Sequence, residues 1–134
     1  MSTVTPPPNL EEDPRVAAVF DDLRATRGPD FLNNLWRYLA FDPPLLDATW
    51  RDVKRVMASP SALDPKTKEM VYIAVSITNA CSYCAHSHTA AARAQGMSDS
   101  EYADLLRVIA LAGKTNQLAN GLQLPVDPVF NKDA

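Results

Sequence analysis

Three of the four Asp-Pro pairs in this chain stand before long segments and predict that each segment begins as an α-helix. These three pairs are Asp13-Pro14, Asp42-Pro43 and Asp64-Pro65. An aspartate before the first turn accepts hydrogen bonds from amides that have no partner inside the helix, and proline suits the first helical position because no amide is needed there. Ser98 followed by Glu101 fits a capping box that opens a further helix. The pattern predicts helices along most of the chain.

Glycines mark the expected helix ends. Gly28, Gly96 and Gly121 lie where helical segments would stop, and glycine readily adopts the left-handed conformation that closes a helix. These signals together predict six helices, at about 14–27, 29–40, 43–57, 65–78, 81–95 and 98–120. No segment shows the alternation and hairpin turns that are typical of β-strands. The sequence therefore predicts an all-α fold, a bundle of about six helices.

The composition fits a single globular domain and argues against several classes of partner. The chain has 134 residues, a formal net charge of -3 and a pI of about 5.2. Such a chain lacks the basic surface that nucleic acids and acidic lipids require. It has no run of about 20 apolar residues, and its N-terminus shows no secretory signal. We expect a cytoplasmic protein without nucleic-acid or membrane partners, with a flexible arm at 1–12 and one helical domain at 13–134.

Two segments carry an unusual amount of apolar surface. In the predicted helix 65–78 the apolar residues are Met70, Val71, Ile73, Ala74, Val75 and Ile77. Such a wide apolar face predicts a helix in the middle of the bundle. Around the predicted helix 29–40 they are Phe31, Leu32, Leu35, Trp36, Leu39 and Phe41. Core packing and a homo-oligomer interface both explain this second set, and the sequence leaves the choice open.

Both cysteines and both histidines of the chain lie in the eight residues CSYCAHSH, at 81–88. At about 100° per residue, Cys81, Cys84 and His88 fall on one narrow face of a helix and His86 on the opposite side. A tetrahedral zinc site needs four converging ligands, so this geometry disfavours one built from all four side chains. A three-ligand site completed from outside stays open, as does a pair of cysteines packed as small apolar residues.

The position of Cys81 at the predicted start of a helix suits thiol chemistry. Unpaired amides at a helix start stabilise a nearby thiolate, and cysteines at i and i+3 can approach within disulfide reach. His88 lies one turn beyond Cys84, so its ring can reach that sulfur. A thiol beside an imidazole is the arrangement that activates a cysteine nucleophile. In a reducing compartment such a pair is more often catalytic or metal-binding than structural.

An acid upstream can join this group if the chain folds back on itself. Glu69 precedes Cys81 by twelve residues, which is about 18 Å along one continuous helix. An antiparallel hairpin that turns at Thr78-Asn79 instead brings Glu69 level with His88. If the two side chains face each other, the carboxylate orients and polarises the imidazole. Otherwise Glu69 is a solvated helix residue, and the spacing alone does not decide.

Glu69, Cys81, Cys84 and His88, taken in this spacing, resemble the active-site signature of the alkylhydroperoxidase D (AhpD)-like branch of the carboxymuconolactone decarboxylase-like family. The match is best over residues 61–112. The resemblance implies an AhpD-like helical bundle with the Cys-x-x-Cys motif at a helix N-terminus. It also implies a homo-oligomer, either a trimer or a hexamer, and a thiol peroxidase activity.

The resemblance further implies a role for each residue of the signature. Cys84 attacks the hydroperoxide, and Cys81 resolves the resulting sulfenic acid as a disulfide. His88 and Glu69 relay the proton. No bound cofactor or metal is expected; an external dithiol or lipoyl-type reductant reopens the disulfide.

Two other functions stay open. A carboxymuconolactone decarboxylase shares the fold and acts on a lactone acid, but works without the cysteine pair. A non-enzymatic redox sensor would form the same disulfide and change its assembly without consuming peroxide.

Overall fold

The structure, a computed structural model, describes residues 1–30 and 32–132. The chain divides into two compact units, Met1–Ala62 and Leu63–Ala134. All regular elements within the described ranges are helical, so the predicted all-α fold with six α-helices is confirmed. The assignment of 1–12 as an arm and 13–134 as one domain stays a prediction.

The first unit contains three α-helices and two short helical turns. In chain order they are a 3-10 turn at Leu10–Glu12, α1 at Pro14–Arg27, α2 at Asn34–Leu39, α3 at Pro43–Val53 and a π-helical turn at Lys54–Ala58. Their core consists of Val16, Val19, Phe20, Leu23, Trp36, Ala40, Leu46 and Trp50. The two tryptophan rings meet edge to face with centroids 5.5 Å apart, an arrangement that aromatic quadrupoles favour.

The second unit is built on a hairpin of two helices. Its elements are α4 at Pro65–Thr78, α5 at Ser82–Ala94, α6 at Asp99–Leu122 and a 3-10 turn at Pro128–Phe130. The helices α4 and α5 pack closely on each other, and Ile73, Ala92 and Met97 form a small buried core. Over the described residues, no helix has the length and apolar character that crossing a membrane requires.

Capping hydrogen bonds confirm the predicted helix starts. The side chains of Asp13, Asp42 and Asp64 accept from amides of the first turn at 2.8, 3.4 and 2.9 Å. Ser98 and Glu101 form the predicted capping box, in which each side chain accepts from the backbone amide of the other. Local sequence therefore determines where these four helices begin.

Some predicted boundaries are wrong. The helix expected at 29–40 spans only Asn34–Leu39, because the chain after Gly28 makes a turn at Pro29, a residue that suits turns as well as helix starts. Gly121 lies within the last turn of α6, and the left-handed residue that closes this helix is Gln123, with φ of 50°. A glycine costs a right-handed helix only about 1 kcal/mol relative to alanine, so it does not stop one by itself.

The apolar face of α4 is only partly buried within its unit. Ile73 is buried, whereas Val71 and Val75 are each 52% exposed and Ile77 is 37% exposed. The helix contacts both α5 and α6, but its apolar face is not fully covered in the single chain, and a place in the middle of the bundle stays a prediction. Apolar periodicity indicates a face that avoids water, but it does not identify what covers that face.

The apolar residues around α2 have mixed positions. Trp36 is buried in the core of the first unit, whereas Leu35 and Phe41 are exposed. Phe31 lies outside the described residues. Core packing thus accounts for part of this set, and the assembly suggested by the remainder stays a prediction.

Candidate active site

The cysteine pair lies where α4 ends and α5 begins. The amide of Ala80 donates to the Ile77 carbonyl at 3.1 Å, and the amide of Cys81 donates to the Ser76 carbonyl at 2.9 Å. These two bonds close α4 as a Schellman motif, in which Ala80 occupies the left-handed position with φ of 54°. The reversal takes up Asn79 and Ala80, and Cys81 follows directly as the N-cap of α5. The motif is therefore at a helix N-terminus, as predicted.

The two sulfurs are joined. Cys81 and Cys84 form a disulfide, with their Cα atoms 5.3 Å apart, so the structure shows the oxidised form of the pair. The amide of Cys84 also donates to Cys81 Sγ at 3.3 Å. This amide is one of the unpaired donors of the first turn, and it would stabilise negative charge on Cys81 once the disulfide is opened.

Glu69 and His88 meet across the hairpin. The Oε2 atom of Glu69 lies 2.6 Å from Nδ1 of His88, and their side chains are only 10% and 18% exposed. Because a carboxylate accepts hydrogen bonds, Nδ1 carries the proton and donates a hydrogen bond to Glu69. In the neutral imidazole this arrangement leaves the lone pair on Nε2. The facing geometry that the spacing left open is thus the one that the fold adopts.

A tyrosine that sequence reasoning missed covers this histidine. The ring of Tyr72 stacks on the imidazole of His88, with centroids 3.6 Å apart and planes inclined by 20°. Tyr72 follows Glu69 by three residues on α4, so both side chains reach α5 from neighbouring positions of one helix face. That i+3 spacing was the available signal, although it does not specify a stacked ring.

His86 does not belong to the group. It is exposed, and its Nδ1 atom lies 2.9 Å from the Ser82 carbonyl of the preceding turn. This position agrees with its predicted place on the opposite side of the helix from His88. Across residues 1–30 and 32–132, no cluster of three or more His, Cys, Asp or Glu side chains is arranged to hold a metal ion.

Comparison with known proteins identifies the family of this chain. The sequence model of the carboxymuconolactone decarboxylase family matches residues 44–127, which is more than half of the chain. The chain belongs to this family. None of the curated proteins matches the sequence.

A similar crystal structure extends the comparison to nearly the whole chain. The alkylhydroperoxidase AhpD core from Rhodospirillum rubrum is 57% identical in sequence, with a TM-score of 0.93 over 97% of each chain. The resemblance to the AhpD-like branch, drawn above from the spacing of four residues, is confirmed. The match includes the first unit, which lies largely outside the region covered by the family's sequence model.

The fold of this family member brings the four predicted site residues together in two pairs. Cys81 and Cys84 share a bond, and Glu69 and His88 share a hydrogen bond, all on the α4–α5 hairpin. In the oxidised form neither sulfur carries a proton that His88 could accept. The roles of the four residues in a reaction are therefore a matter of proposal.

Proposed function

We propose that the protein is a thiol-dependent peroxidase that reduces hydroperoxides. The observation that carries this proposal is the 2.6 Å Glu69–His88 hydrogen bond on the same hairpin as the redox disulfide. A nucleophile, a base and a group that orients the base are the parts that such chemistry needs. The 57% identity to a protein described as an alkylhydroperoxidase core supports the same reaction.

The first half of the cycle oxidises Cys84. His88 takes the thiol proton at Nε2, and the thiolate attacks a peroxide oxygen, because the thiolate is the reactive form. A sulfur–oxygen bond forms, the oxygen–oxygen bond breaks, and the departing alkoxide receives the proton from His88. The products are an alcohol and a sulfenic acid on Cys84. Glu69 holds the imidazole and stabilises the positive charge that it carries between the two proton transfers.

The second half of the cycle forms the disulfide and reopens it. The sulfur of Cys81 attacks the sulfenic sulfur of Cys84, water leaves, and the product is the bond present in the structure. An external dithiol or lipoyl-type reductant then supplies two electrons and two protons by thiol–disulfide exchange. No bound cofactor takes part. A reducing compartment such as the cytoplasm would keep this reductant available.

Free-thiol counting tests the proposal directly. The reduced protein is treated with one equivalent of an organic hydroperoxide, and thiols and residual peroxide are both measured. We expect the loss of both thiols with formation of one alcohol, and recovery of both thiols with a dithiol. A Cys84→Ser variant should consume no peroxide, whereas Cys81→Ser should undergo one oxidation and stop. Wild-type rates in the Cys84→Ser variant would contradict the proposal.

A lactone decarboxylase is a second candidate, favoured by the match to the carboxymuconolactone decarboxylase family. That reaction does not use a cysteine pair, so it would release carbon dioxide from a lactone acid after the thiols had been alkylated. The disulfide also leaves room for a redox sensor, which would change its assembly on oxidation without consuming peroxide in repeated turnovers. Alkylated protein and reduced protein, assayed side by side, separate these outcomes.

We also propose that the protein assembles as a homo-oligomer, a trimer or a hexamer. Support comes from α6, on which Val108, Leu111, Leu118 and Leu122 are 64%, 60%, 54% and 69% exposed in the single chain. At about 100° per residue these four side chains share one helix face. Apolar side chains that are exposed together on one helix face mark a binding surface.

A further inference from the structure

We propose that Tyr72 is a positioning residue that fixes the plane of the His88 imidazole. Its kinetic consequence rests on the proposed peroxidase function, whereas its geometric consequence does not. The two rings lie on adjacent helices of one hairpin, with centroids 3.6 Å apart and planes within 20° of parallel. The contact is thus a full face-to-face overlap rather than a touch at the ring edges.

The hydrogen bond to Glu69 does not orient the ring by itself. It holds one atom, Nδ1, so the ring plane can still tilt about the line between Nδ1 and Oε2 of Glu69 as far as the side-chain torsions of His88 allow. A ring stacked on one face removes that freedom, because tilting the imidazole would drive it into the tyrosine. Together the two contacts fix both the position of the ring and the direction of Nε2. A proton acceptor needs that direction fixed to within about 10–20°.

The two rings also differ in how much of each is exposed to solvent. Tyr72 is 37% exposed, whereas the side chain of His88 is 18% exposed and that of Glu69 is 10% exposed. The tyrosine therefore forms the outer layer over the Glu69–His88 pair and limits the access of water to one face of it. Water competes less for a hydrogen bond that is shielded in this way, so the imidazole keeps one tautomer. The tyrosine acts through its ring face, so its hydroxyl group is not required.

The geometric arm of the test uses nitrogen NMR of the oxidised protein. The chain has two histidines, and a His86→Gln variant assigns the signals. We expect wild type and Tyr72→Phe to show one His88 tautomer, with the proton on Nδ1. Tyr72→Leu should show a mixture of both tautomers, and Tyr72→Gln, which keeps good helix propensity at an exposed position, should do the same. A single unchanged tautomer in Tyr72→Leu or Tyr72→Gln would overturn the proposal.

The kinetic arm measures hydroperoxide turnover in the same variants. We expect kcat to fall about ten-fold in Tyr72→Leu, a part of the roughly 10²–10⁴-fold that general acid–base catalysis supplies, while KM stays unchanged. Tyr72→Phe should restore wild-type kcat. Tyr38→Leu, the same chemical change in α2, is the matched control and should leave kcat unchanged. A wild-type kcat in Tyr72→Leu, or a Tyr72→Phe variant as slow as Tyr72→Leu, would contradict the positioning role.

The two arms separate failure of this inference from failure of the proposed function. A wild-type protein that consumes no hydroperoxide would refute the peroxidase proposal, and the tautomer populations would still decide the role of Tyr72. An active wild type with equal tautomers and equal kcat in all the Tyr72 variants would refute the positioning role alone.

Discussion

Glu69 is the residue whose environment most needs an explanation. A carboxylate whose side chain is 10% exposed loses much of its hydration, and this cost is offset only by a good hydrogen-bond partner. His88 supplies that partner at 2.6 Å. Glutamates are rarely buried in this way on ordinary helices, so a side chain that only needed to be solvated would not face inward here. The arrangement is the one expected when the carboxylate serves the imidazole.

Replacing Glu69 with glutamine separates its charge from its shape. The glutamine carbonyl can still accept the Nδ1 proton, but it cannot stabilise a positive imidazole, so we expect Glu69→Gln to lower peroxide turnover about 10²-fold. The measurement is steady-state peroxide consumption, together with thermal unfolding to establish that the variant is folded. Glu12→Gln, an exposed glutamate in the first unit, is the control. Equal turnover in both variants would remove Glu69 from the proton relay.

At the scale of the elements, the junction between α4 and α5 holds Ala80 in a left-handed conformation that glycine usually adopts. Ala80 adopts φ of 54°, and it does so while its amide closes the end of α4. A left-handed conformation costs a residue with a Cβ atom roughly 1–2 kcal/mol, which glycine avoids. The structure around the junction maintains this strain, as it commonly does near functional sites.

We therefore expect Ala80→Gly to raise the free energy of unfolding by about 1 kcal/mol, after allowing for the greater freedom of glycine in the unfolded chain. Ala90→Gly is the matched control, because Ala90 is exposed in the interior of α5. There the same change should lower the free energy of unfolding by about 1 kcal/mol. Denaturant unfolding of both variants measures the sign of each change in the free energy of unfolding. A loss of stability in Ala80→Gly would show that the left-handed residue is not strained.

The start of α6 is tied to α4 by an ion pair that depends on pH. Lys66 Nζ donates to Glu101 Oε2 at 2.8 Å, and this bond, followed by the one from the Ser98 amide, lowers the pKa of Glu101. A carboxyl group with a lowered folded-state pKa contributes stability above its unfolded-state pKa, near 4.5, and loses it as the pH falls through the folded-state pKa. The contribution is thus present at neutral pH and absent in strong acid.

Glu101→Gln should therefore lower the unfolding temperature at pH 7 and leave it nearly unchanged in strong acid, at a pH below the folded-state pKa, where the wild-type carboxyl is also protonated. Thermal unfolding at the two pH values is the measurement. Asp104→Asn removes an exposed pair with Arg107 further along α6 and serves as the control, since such surface pairs contribute little. An equal effect of Glu101→Gln at both pH values would mean that capping shape, rather than charge, stabilises this end.

At the scale of the whole molecule, the exposed apolar face of α6 predicts what would disrupt assembly. Leu118 lies on that face and is 54% exposed in the single chain. A charge there would have to be buried without a partner in an oligomer, so we expect Leu118→Glu to shift the protein toward the monomer. Gln117→Glu adds the same side chain about 100° away on the helix and should leave the assembly unchanged. Light scattering during size-exclusion chromatography measures both. A monomeric wild type would contradict the proposed oligomer.

Sequence reasoning predicted the helix starts and the level at which Glu69 meets His88, because both follow from local rules, but it left open whether the two side chains face each other. Caps act over three or four residues, and two helices joined by a short turn pair symmetrically about it. The stacking of Tyr72 on His88 could not be obtained in this way. It depends on how far each helix is rotated about its own axis, and that rotation is determined by core packing, which residue spacing does not specify.

Two further features could not be predicted from the pattern, namely the exposure of the apolar face of α4 and the residue at which α6 ends. The pattern correctly indicates that Val71 and Val75 belong to an apolar face, but burial depends on neighbours that can lie outside the unit. Gly121 shows the complementary case, since glycine permits a helix to end without requiring it. The family resemblance contributed what neither rule could, namely the expectation that the cysteine pair and the distant acid belong to one site.

The double role of Cys81 has a consequence for repeated use of the site. Its amide is bound to the Ser76 carbonyl and its own carbonyl accepts from the amide of Ala85 at 2.9 Å, so its backbone is anchored in both helices without help from sulfur. Electrons can enter and leave the two sulfur atoms while these main-chain anchors remain in place. Under the proposed peroxidase function, the hairpin would serve as a fixed frame through many cycles of oxidation and reduction, with its main-chain bonds unchanged from one to the next.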